Sequence, residues 1–314
     1  MKLLFFTDVQ YRGDNPRSRV DNYRESIKLK IRQIGSICRE EGVDCLVLGG
    51  DLVDSPKSRF GVVTELAFLL RDIDVPFKFA VAGNHDLKGV TYQNSPLPLV
   101  FWVSGFQLLD RIPVEIPGFG GIYILGESYQ GEVSNIGCLQ ANFVEGAYNI
   151  CVLHSMTVPT PFYESYLLIS DILEIPHSVY LVGHYHPGFG TVARDSDVFV
   201  SPGAIARKTS LESDIKRIPK VALLTLTDSG LSIAYRQLEV IPADQVFDLR
   251  VIQETKDLQD QTEMFIQSLE RVRGDWGFDI EKEAMSRGRE LSLPEHVIEE
   301  AVQLLRECRD GKDC

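Results

Sequence analysis

Long hydrophobic runs are missing from this chain, and so are the signs of secretion. No segment approaches the roughly 20 apolar residues that cross a bilayer. The first apolar segment stops at Thr7-Asp8, which leaves no room for a signal peptide. Cysteine is also scarce: six residues among 314 form no C-x-x-C pair, which excludes a disulfide scaffold. We therefore expect a cytoplasmic protein without membrane contact.

Positive charge is outweighed by negative charge over the whole chain. The formal net charge of −13 argues against a surface that attracts nucleic acid everywhere. Between positions 12 and 32, however, seven basic residues accompany only three acidic ones. This basic segment predicts binding of a phosphate backbone, with Arg12, Arg17 and Arg19 as candidate contacts. The alternative is a solvated loop and helix face.

Hydrophobic periodicity predicts an α/β fold. In the first 80 residues strand and helix patterns alternate, which indicates a parallel sheet; the predicted elements are a strand at 2–7, a helix at 21–41 that ends at Gly42, a strand at 44–49, a helix at 58–73 and a strand at 77–82. From about 112 to 240 the strands are shorter, with a hairpin at Asp228-Ser229-Gly230. These favour a second, mixed or antiparallel sheet packed against the first, with helices outside.

The strand pattern ends near residue 245, which predicts two regions. Residues 1–245 form the main domain, and residues 246–314 form an acidic helical C-terminal region. Within the latter, Ser292-Leu293-Pro294-Glu295 is typical of a helix start. This region is a candidate cap or partner-binding segment.

Five apolar strand patterns end in residues that can hold a metal ion. Ligands gather at the carboxyl ends of strands, and carboxylate, amide and imidazole groups bind divalent ions. A carboxylate can bridge two ions, and Asp51, after Gly49-Gly50, is the candidate bridge. His85 is a candidate to protonate a departing oxygen, with Asp86 holding its ring. The pattern predicts a two-metal hydrolytic site at Asp8, Asp51, Asn84, His85, Asp86, His154, His184 and His186.

In their order, Gly50-Asp51-x-x-Asp54, Gly83-Asn84-His85-Asp86, His154 and Gly183-His184-x-His186, after a strand ending in Asp8, resemble the calcineurin-like metallophosphoesterase superfamily over residues 1–240. The resemblance implies a four-layer α/β/β/α sandwich of two mixed sheets. It implies one metal on Asp8, Asp51 and His186. The second metal would lie on Asp51, Asn84, His154 and His184, with His85 as the catalytic histidine.

One position departs from that pattern. The superfamily usually begins Asp-x-His, whereas Asp8-Val9-Gln10 has a glutamine in place of the imidazole. Gln10 is a candidate ligand with a weaker donor atom, so we expect a weaker first metal. The alternative is a polar residue that forms hydrogen bonds near the site and does not touch the metal. Gln10 is also consistent with a weakened enzyme, in which the glutamine is either a natural substitution or an introduced one.

A narrower resemblance concerns the segment 15–23 and Gly50-Asp51-Leu52-Val53-Asp54-Ser55-Pro56, which are similar to DNA-repair exonucleases of the SbcD type. It implies manganese-dependent cleavage of DNA, with magnesium, iron or zinc as alternative metals. It also implies a homodimer through N-terminal helices and an SMC-like ATPase partner. We expect a basic side chain such as Arg207 to contact phosphate. The alternatives are an enzyme acting on small nucleotides or phosphoproteins, and a non-catalytic scaffold that binds DNA or an ATPase.

Overall fold

A computed structural model describes residues 1–89, 91–131, 136–162, 165–175, 178–209 and 212–248, with scattered positions between 285 and 302. The chain divides into two compact units, Met1–Phe247 and Asp248–Cys314. In the second unit, the described Ile298 and Val302 are helical and buried. Most of the predicted C-terminal helical region lies outside the described residues.

The first unit alternates strands and helices. Its strands, in chain order, are β1 (Lys2–Phe6), β2 (Cys45–Leu48), β3 (Phe77–Ala80), β4 (Gln107–Leu108), β5 (Val114–Glu115), β6 (Ile122–Glu127), β7 (Tyr148–His154), β8 (Thr157–Val158), β9 (Leu167–Leu168), β10 (Ser178–Gly183), β11 (Gly190–Arg194), β12 (Asp197–Ser201), β13 (Lys220–Thr227) and β14 (Gly230–Gln237). Its α-helices are α1 (Tyr23–Glu41), α2 (Phe60–Arg71), α3 (Leu97–Ser104), α4 (Ile136–Gln140), α5 (Glu212–Lys216) and α6 (Ala243–Val246). Short 3₁₀ helices lie at Asn84–Asp86 and Ile169–Asp171.

The first sheet has the strand order β14-β13-β1-β2-β3-β4. Strands β1 to β4 are parallel, as the βαβαβ pattern predicts, whereas β13 pairs antiparallel with β1 and places Leu223 opposite Leu4. The predicted hairpin therefore exists as β13 and β14, but its assignment to the second sheet is wrong. Because β1 is buried on both faces, it needs a neighbour at its otherwise open edge, and the hairpin supplies one.

The second sheet has the strand order β11-β12-β10-β7-β6-β5. Its four central strands are parallel, and the edge strands β11 and β5 are antiparallel to their neighbours. The register between β7 and β10 places His154 opposite Gly183, and so beside His184. In the first sheet, the register of β1 and β2 places Phe6 opposite Leu48, which brings Asp8 and Asp51 to one edge.

Alternation along β1 shows how the layers pack. Leu3 and Phe5 lie in the apolar core between the two sheets, whereas Leu4 and Phe6 pack on the opposite face with residues of α1 and α2. Fully burying such a side chain stabilises the fold by about 1.5–3 kcal/mol. On the far face of the second sheet, Leu139 and Ile169 cover strand residues. These layers confirm the predicted α/β/β/α sandwich of two mixed sheets.

The first helix is delimited by its end residues. The side chain of Asn22 accepts a hydrogen bond from the backbone N–H of Glu25, which caps the start of α1. Gly42 ends the helix in the left-handed region at φ 64°, as the sequence predicts. Within the described part of the chain, no helix is long and apolar enough to cross a membrane.

Candidate metal centre

Backbone strain is concentrated at the predicted ligands. Among the described residues other than glycine, positive φ angles occur at Asp8 (53°), Gln10 (45°), Asp51 (51°), His184 (81°) and Asp195 (48°). Four of these five are predicted site residues. A non-glycine residue in the left-handed region costs free energy, and such residues cluster at functional sites. The fold therefore holds these side chains in place against a local backbone cost.

A first cluster forms around His186. One ligand atom each of Asp8, Asp51 and His186 lies within 4.8 Å of the others. The Nε2 atom of His186 lies 3.5 Å from Oδ1 of Asp8 and 3.0 Å from the side-chain amide nitrogen of Gln10. The other oxygen of Asp8 accepts hydrogen bonds from the Thr7 hydroxyl at 2.7 Å and from the backbone N–H of His184 at 3.1 Å. These bonds orient Asp8 so that Oδ1 faces the imidazole.

A second cluster shares Asp51 with the first. One ligand atom each of Asp51, His154 and His184 lies within 4.8 Å of the others. The Nε2 atom of His154 lies 3.5 Å from Oδ1 of Asp51, 3.2 Å from the amide oxygen of Asn84 and 3.2 Å from Nδ1 of His184. Four predicted ligands therefore converge, and Asp51 is the residue that belongs to both clusters.

The backbone near Gly49 fixes the His154 ring. Nδ1 of His154 lies 2.6 Å from the carbonyl oxygen of Gly49, which accepts a hydrogen bond from the Nδ1–H group. Nε2 then keeps its lone pair, on the side of the ring that faces Asn84 and His184. Gly50 has φ 95°, and a Cβ there would collide with the His154 ring. The Gly49-Gly50-Asp51 segment is thus required for close approach to the imidazole.

Burial and neighbouring charge set the ionisation of the centre. Burial, then the neighbouring His154, lowers the pKa of His184 to about 4, which keeps the ring neutral and able to donate a lone pair. Burial works against the charged form of Asp8, but the neighbouring His186 imidazole holds the pKa of Asp8 well below its usual range. Burial likewise works against protonation of His186, yet Asp8 raises its pKa.

The residues present fit a pair of divalent cations. Two buried oxygens, Oδ1 of Asp8 and Oε1 of Gln10, have no hydrogen-bond partner among the described residues. Leaving a buried oxygen unpaired is costly, and a cation removes that cost. The set of carboxylate, amide and imidazole donors suits first-row divalent metals. Gln10 lies beside the first cluster, with its amide nitrogen next to His186, and its role as a metal ligand stays a prediction.

His85 and Asp86 differ from the sequence-based expectation. Nδ1 of His85 lies 3.0 Å from the backbone carbonyl of Asp54, and its Nε2 lies 3.9 Å from Oδ2 of Asp51. The fully buried Asp86 carboxylate instead accepts the backbone N–H groups of residues 52, 53 and 83. The prediction that Asp86 orients the His85 ring is therefore wrong, because the Asp54 carbonyl takes that role. Asp86 joins the loops that carry Asp51 and Asn84.

The basic segment is only partly available to a ligand. Arg17 is exposed and Arg12 is half-buried. Arg19, in contrast, is 5% exposed, and its guanidinium pairs with Asp21 at 2.7 Å and donates to the carbonyl of Arg207. The candidate role of Arg19 in binding nucleic acid is wrong for this reason. Arg207 is 4% exposed, so the expectation that it contacts phosphate is wrong as well.

Sequence reasoning missed three residues at the site. Thr7 orients Asp8, and the ring centroid of Tyr129 lies 5.6 Å from that of His184. Lys208 places its ammonium 2.8 Å from the carboxylate of Asp54. The contact of Lys208 with Asp54 spans 154 residues, so local sequence carries no signal for it.

Two mixed sheets, with carboxylates and imidazoles gathered at their strand ends, define a metallophosphoesterase. The family profile of the calcineurin-like phosphoesterases matches residues 1–213, and the chain belongs to that family. The predicted superfamily is thereby confirmed. The family consists of metal-dependent hydrolases, and the described residues bring its ligand set together.

Solved structures resemble this chain at low sequence identity. A dimetal phosphatase from Danio rerio is 12% identical with a TM-score of 0.48, over 76% of this chain and 99% of that one. The protein TT1561 of Thermus thermophilus is 13% identical with a TM-score of 0.46, over 74% of this chain and 97% of that one. A purple acid phosphatase from yellow lupin (Lupinus luteus) is 13% identical with a TM-score of 0.43, over 77% of this chain and 52% of that one.

Proposed function

We propose that this chain is a two-metal phosphodiesterase that cleaves the backbone of DNA, with manganese as its metal. The observation that carries the proposal is the pair of ligand clusters that share Asp51 beside the ring of His85. A carboxylate shared by two ligand sets would hold a pair of divalent ions close together, as two-metal phosphoryl-transfer sites require.

The described side chains divide into two ligand sets. Asp8, Asp51 and His186, with Gln10 beside them, would hold the first ion, whereas Asp51, Asn84, His154 and His184 would hold the second. Divalent ions bound there supply positive charge that stabilises phosphoryl oxygens and acidifies water. The mixture of oxygen and imidazole donors supports manganese, with iron, zinc and magnesium as the alternatives.

His85 is suited to give a proton to the departing oxygen. When Nδ1 donates to the Asp54 carbonyl, Nε2 is directed towards Asp51 and the shared centre. The His85 side chain is 34% exposed, so it reaches substrate as well as protein. General acid catalysis by a positioned side chain contributes roughly 10²–10⁴-fold.

The cations near His85 support DNA as the substrate. Arg12 and Lys208 both pair with Asp54, whose backbone carbonyl faces His85. Arg17 is exposed on the same N-terminal segment as Arg12. A local group of cations on a chain of net charge −13 would direct a polyanion to this edge of the sheet.

A second candidate is a phosphoesterase that acts on small nucleotides or phosphoproteins. This candidate is supported by contacts within the protein that neutralise or bury part of the basic segment. Arg24 and Lys28 pair with Glu65 at 2.5 and 2.9 Å. Lys30 is buried and donates to a backbone carbonyl. These cations add little attraction for a nucleic acid.

Assays with manganese separate the two candidates. We expect cleavage of single- or double-stranded DNA that falls steeply as the NaCl concentration rises, because phosphate binding releases counterions. Bis(p-nitrophenyl) phosphate, a small diester, serves as the comparison and should respond weakly to salt. Turnover of the small diester without DNA binding at low salt would exclude the nuclease proposal. Metal binding with no turnover of either substrate would identify a scaffold.

The proposal extends to a cytoplasmic homodimer that assembles through N-terminal helices and works with an SMC-like ATPase. Phe60 on α2 is 75% exposed and Trp102 on α3 is 83% exposed, and such apolar side chains support self-association. Light scattering after gel filtration should give a dimer mass for the natural chain. The double substitution Phe60→Ser and Trp102→Ser should give a monomer, and a monomer in both cases would exclude this interface.

A further inference from the structure

Asp54 links His85 to two cations. Its carboxylate lies 2.9 Å from the guanidinium of Arg12 and 2.8 Å from the ammonium of Lys208. Its backbone carbonyl lies 3.0 Å from Nδ1 of His85. Asp54 therefore orients the His85 ring through its backbone carbonyl and binds two cations through its side chain.

The backbone of Lys208 is fixed from both sides. Its N–H donates to Asp214 at 3.0 Å, and its carbonyl accepts from the Ser18 hydroxyl at 3.1 Å. Two residues earlier, the N–H of Ala206 donates to the carbonyl of Asp8 at 3.4 Å. The backbone of Lys208 is therefore two residues from a contact with Asp8 of the first ligand cluster. Its side chain extends to Asp54, which contacts His85. An anchored cation of this kind needs little further ordering to bind an anion.

The two cations differ in how many carboxylates offset their charge: Arg12 faces two, Asp54 and Asp14, whereas Lys208 faces Asp54. The guanidinium of Arg12 is shared between Asp54 and Asp14, at 2.9 and 2.6 Å. An ammonium has three N–H donors, and Lys208 directs one at Asp54. Its side chain is 21% exposed, which leaves the other donors a path to an incoming oxygen. Lys208 is therefore the better phosphate ligand of the pair.

We propose that Lys208 binds the phosphate next to the scissile one and thereby makes the enzyme selective for a chain of phosphodiesters. The proposal rests on the proposed function, since it names a subsite of the same centre. A small diester has one phosphate and gains nothing from this subsite, whereas a DNA strand presents an anion on either side of the cleaved bond. Lys208 is thus a specificity-determining residue for a polyanionic substrate.

The test compares Lys208→Gln and Lys208→Arg with the natural chain in manganese. Lys208→Gln should raise KM for DNA about tenfold with a much smaller change in kcat, because one charge contact to phosphate is lost. The slope of log(kcat/KM) against log[NaCl] should become shallower by about 1, the change expected for one phosphate contact. Lys208→Arg should restore both quantities. The selectivity for DNA over bis(p-nitrophenyl) phosphate should fall about tenfold in Lys208→Gln.

Arg71→Gln is the matched control. It also removes one cation, but Arg71 is exposed at the end of α2, just before β3 begins, and so lies at the opposite edge of the sheet from the ligands. It should leave KM, kcat and the salt slope unchanged. A substrate with one methylphosphonate, moved along the strand, should locate the subsite. With the methylphosphonate at one position of the strand, the natural chain and Lys208→Gln should have the same KM.

The outcomes separate the two proposals. If the natural chain cleaves DNA but Lys208→Gln keeps its KM and salt slope, the Lys208 subsite is excluded and the nuclease proposal stands. An equal loss on DNA and on the small diester would show that Lys208 only supports the fold of the loop. An equal effect of Arg71→Gln would show a general charge effect. If the natural chain does not cleave DNA, both proposals fall.

Discussion

The side-chain amide nitrogen of Gln10 lies 3.0 Å from Nε2 of His186, while the amide oxygen is buried without a hydrogen-bond partner among the described residues. Gln10 occupies the left-handed backbone region at φ 45°. Histidine is enriched in that region relative to most residues, and imidazole is a stronger donor to first-row metals than an amide. Position 10 is therefore better suited to histidine in both its backbone and its donor atom.

Gln10→His should tighten manganese binding at the first site on the order of tenfold, the scale of changes to groups around a metal. Isothermal titration of the metal-free protein with manganese measures this directly. Gln10→Leu, which has no donor atom, should weaken the same site. Equal manganese affinity in all three proteins would show that residue 10 does not act on the metal.

His85 should affect turnover and leave metal binding unchanged. Its imidazole is directed by the Asp54 carbonyl, and its backbone N–H, which survives substitution, donates to Asp51 at 2.9 Å. His85→Ala should therefore lower kcat by about 10²–10⁴-fold. Manganese affinity, measured by titration, should match that of the natural chain. His154→Ala is the comparison that should lose metal, and a similar loss in His85→Ala would reassign His85 as a ligand.

The ligands could be predicted from the sequence because their positions depend on local pattern. Asp8, Asp51 and His184 follow short apolar strands, and the ends of parallel strands meet at one edge whatever the rest of the chain does. The order of the motifs predicts the calcineurin-like superfamily, and the family profile that matches residues 1–213 agrees with this prediction.

Long-range packing could not be predicted in the same way. Arg19 looks like a surface cation in its segment, yet it is buried because its guanidinium donates to a carbonyl 188 residues away. The β13–β14 hairpin joins the first sheet through pairing with β1, more than 200 residues earlier. Local composition carries no signal for either contact. The same holds for Asp86, because its carboxylate accepts hydrogen bonds from backbone N–H groups of the loop after β2, which its own motif does not indicate.

Asp86 should act on stability more than on chemistry. Its carboxylate accepts three buried N–H groups at 2.9, 3.0 and 3.2 Å. Asp86→Ala leaves these donors unpaired, so it should lower the free energy of unfolding by at least about 3 kcal/mol. Asp86→Asn keeps one carbonyl oxygen and should lose less. Urea denaturation measures both losses.

Turnover separates this structural role from a catalytic one. Per metal-loaded molecule, Asp86→Asn should retain kcat within roughly tenfold, well above the loss expected of a missing general acid. If Asp86→Asn proved as stable as the natural chain and as inactive as His85→Ala, Asp86 would belong to the chemistry after all.

Glu65 on α2 should make stability depend on acid pH. Its carboxylate accepts the Tyr11 hydroxyl and pairs with Arg24 at 2.5 Å and Lys28 at 2.9 Å. Burial opposes its charge, but hydrogen bonds from Tyr11, Lys28 and Arg24 lower the pKa of Glu65 from 4.5 to about 2. Between these values the unfolded chain binds more protons than the folded one, so stability falls as the pH drops through this window.

The expected difference is measurable by substitution. Glu65→Gln should lower the free energy of unfolding at pH 7 by about 1–2 kcal/mol, a value reduced because the side chain is partly exposed to water. Urea denaturation in EDTA, from pH 7 to pH 3, removes metal binding from the comparison. The gap between the natural chain and Glu65→Gln should narrow below pH 4.5, the ordinary carboxyl pKa. Glu40→Gln, at an exposed position of α1, should show no such gap. A gap for Glu65→Gln that stayed constant down to pH 3 would show that the ionised carboxylate is not what stabilises this contact between α1 and α2.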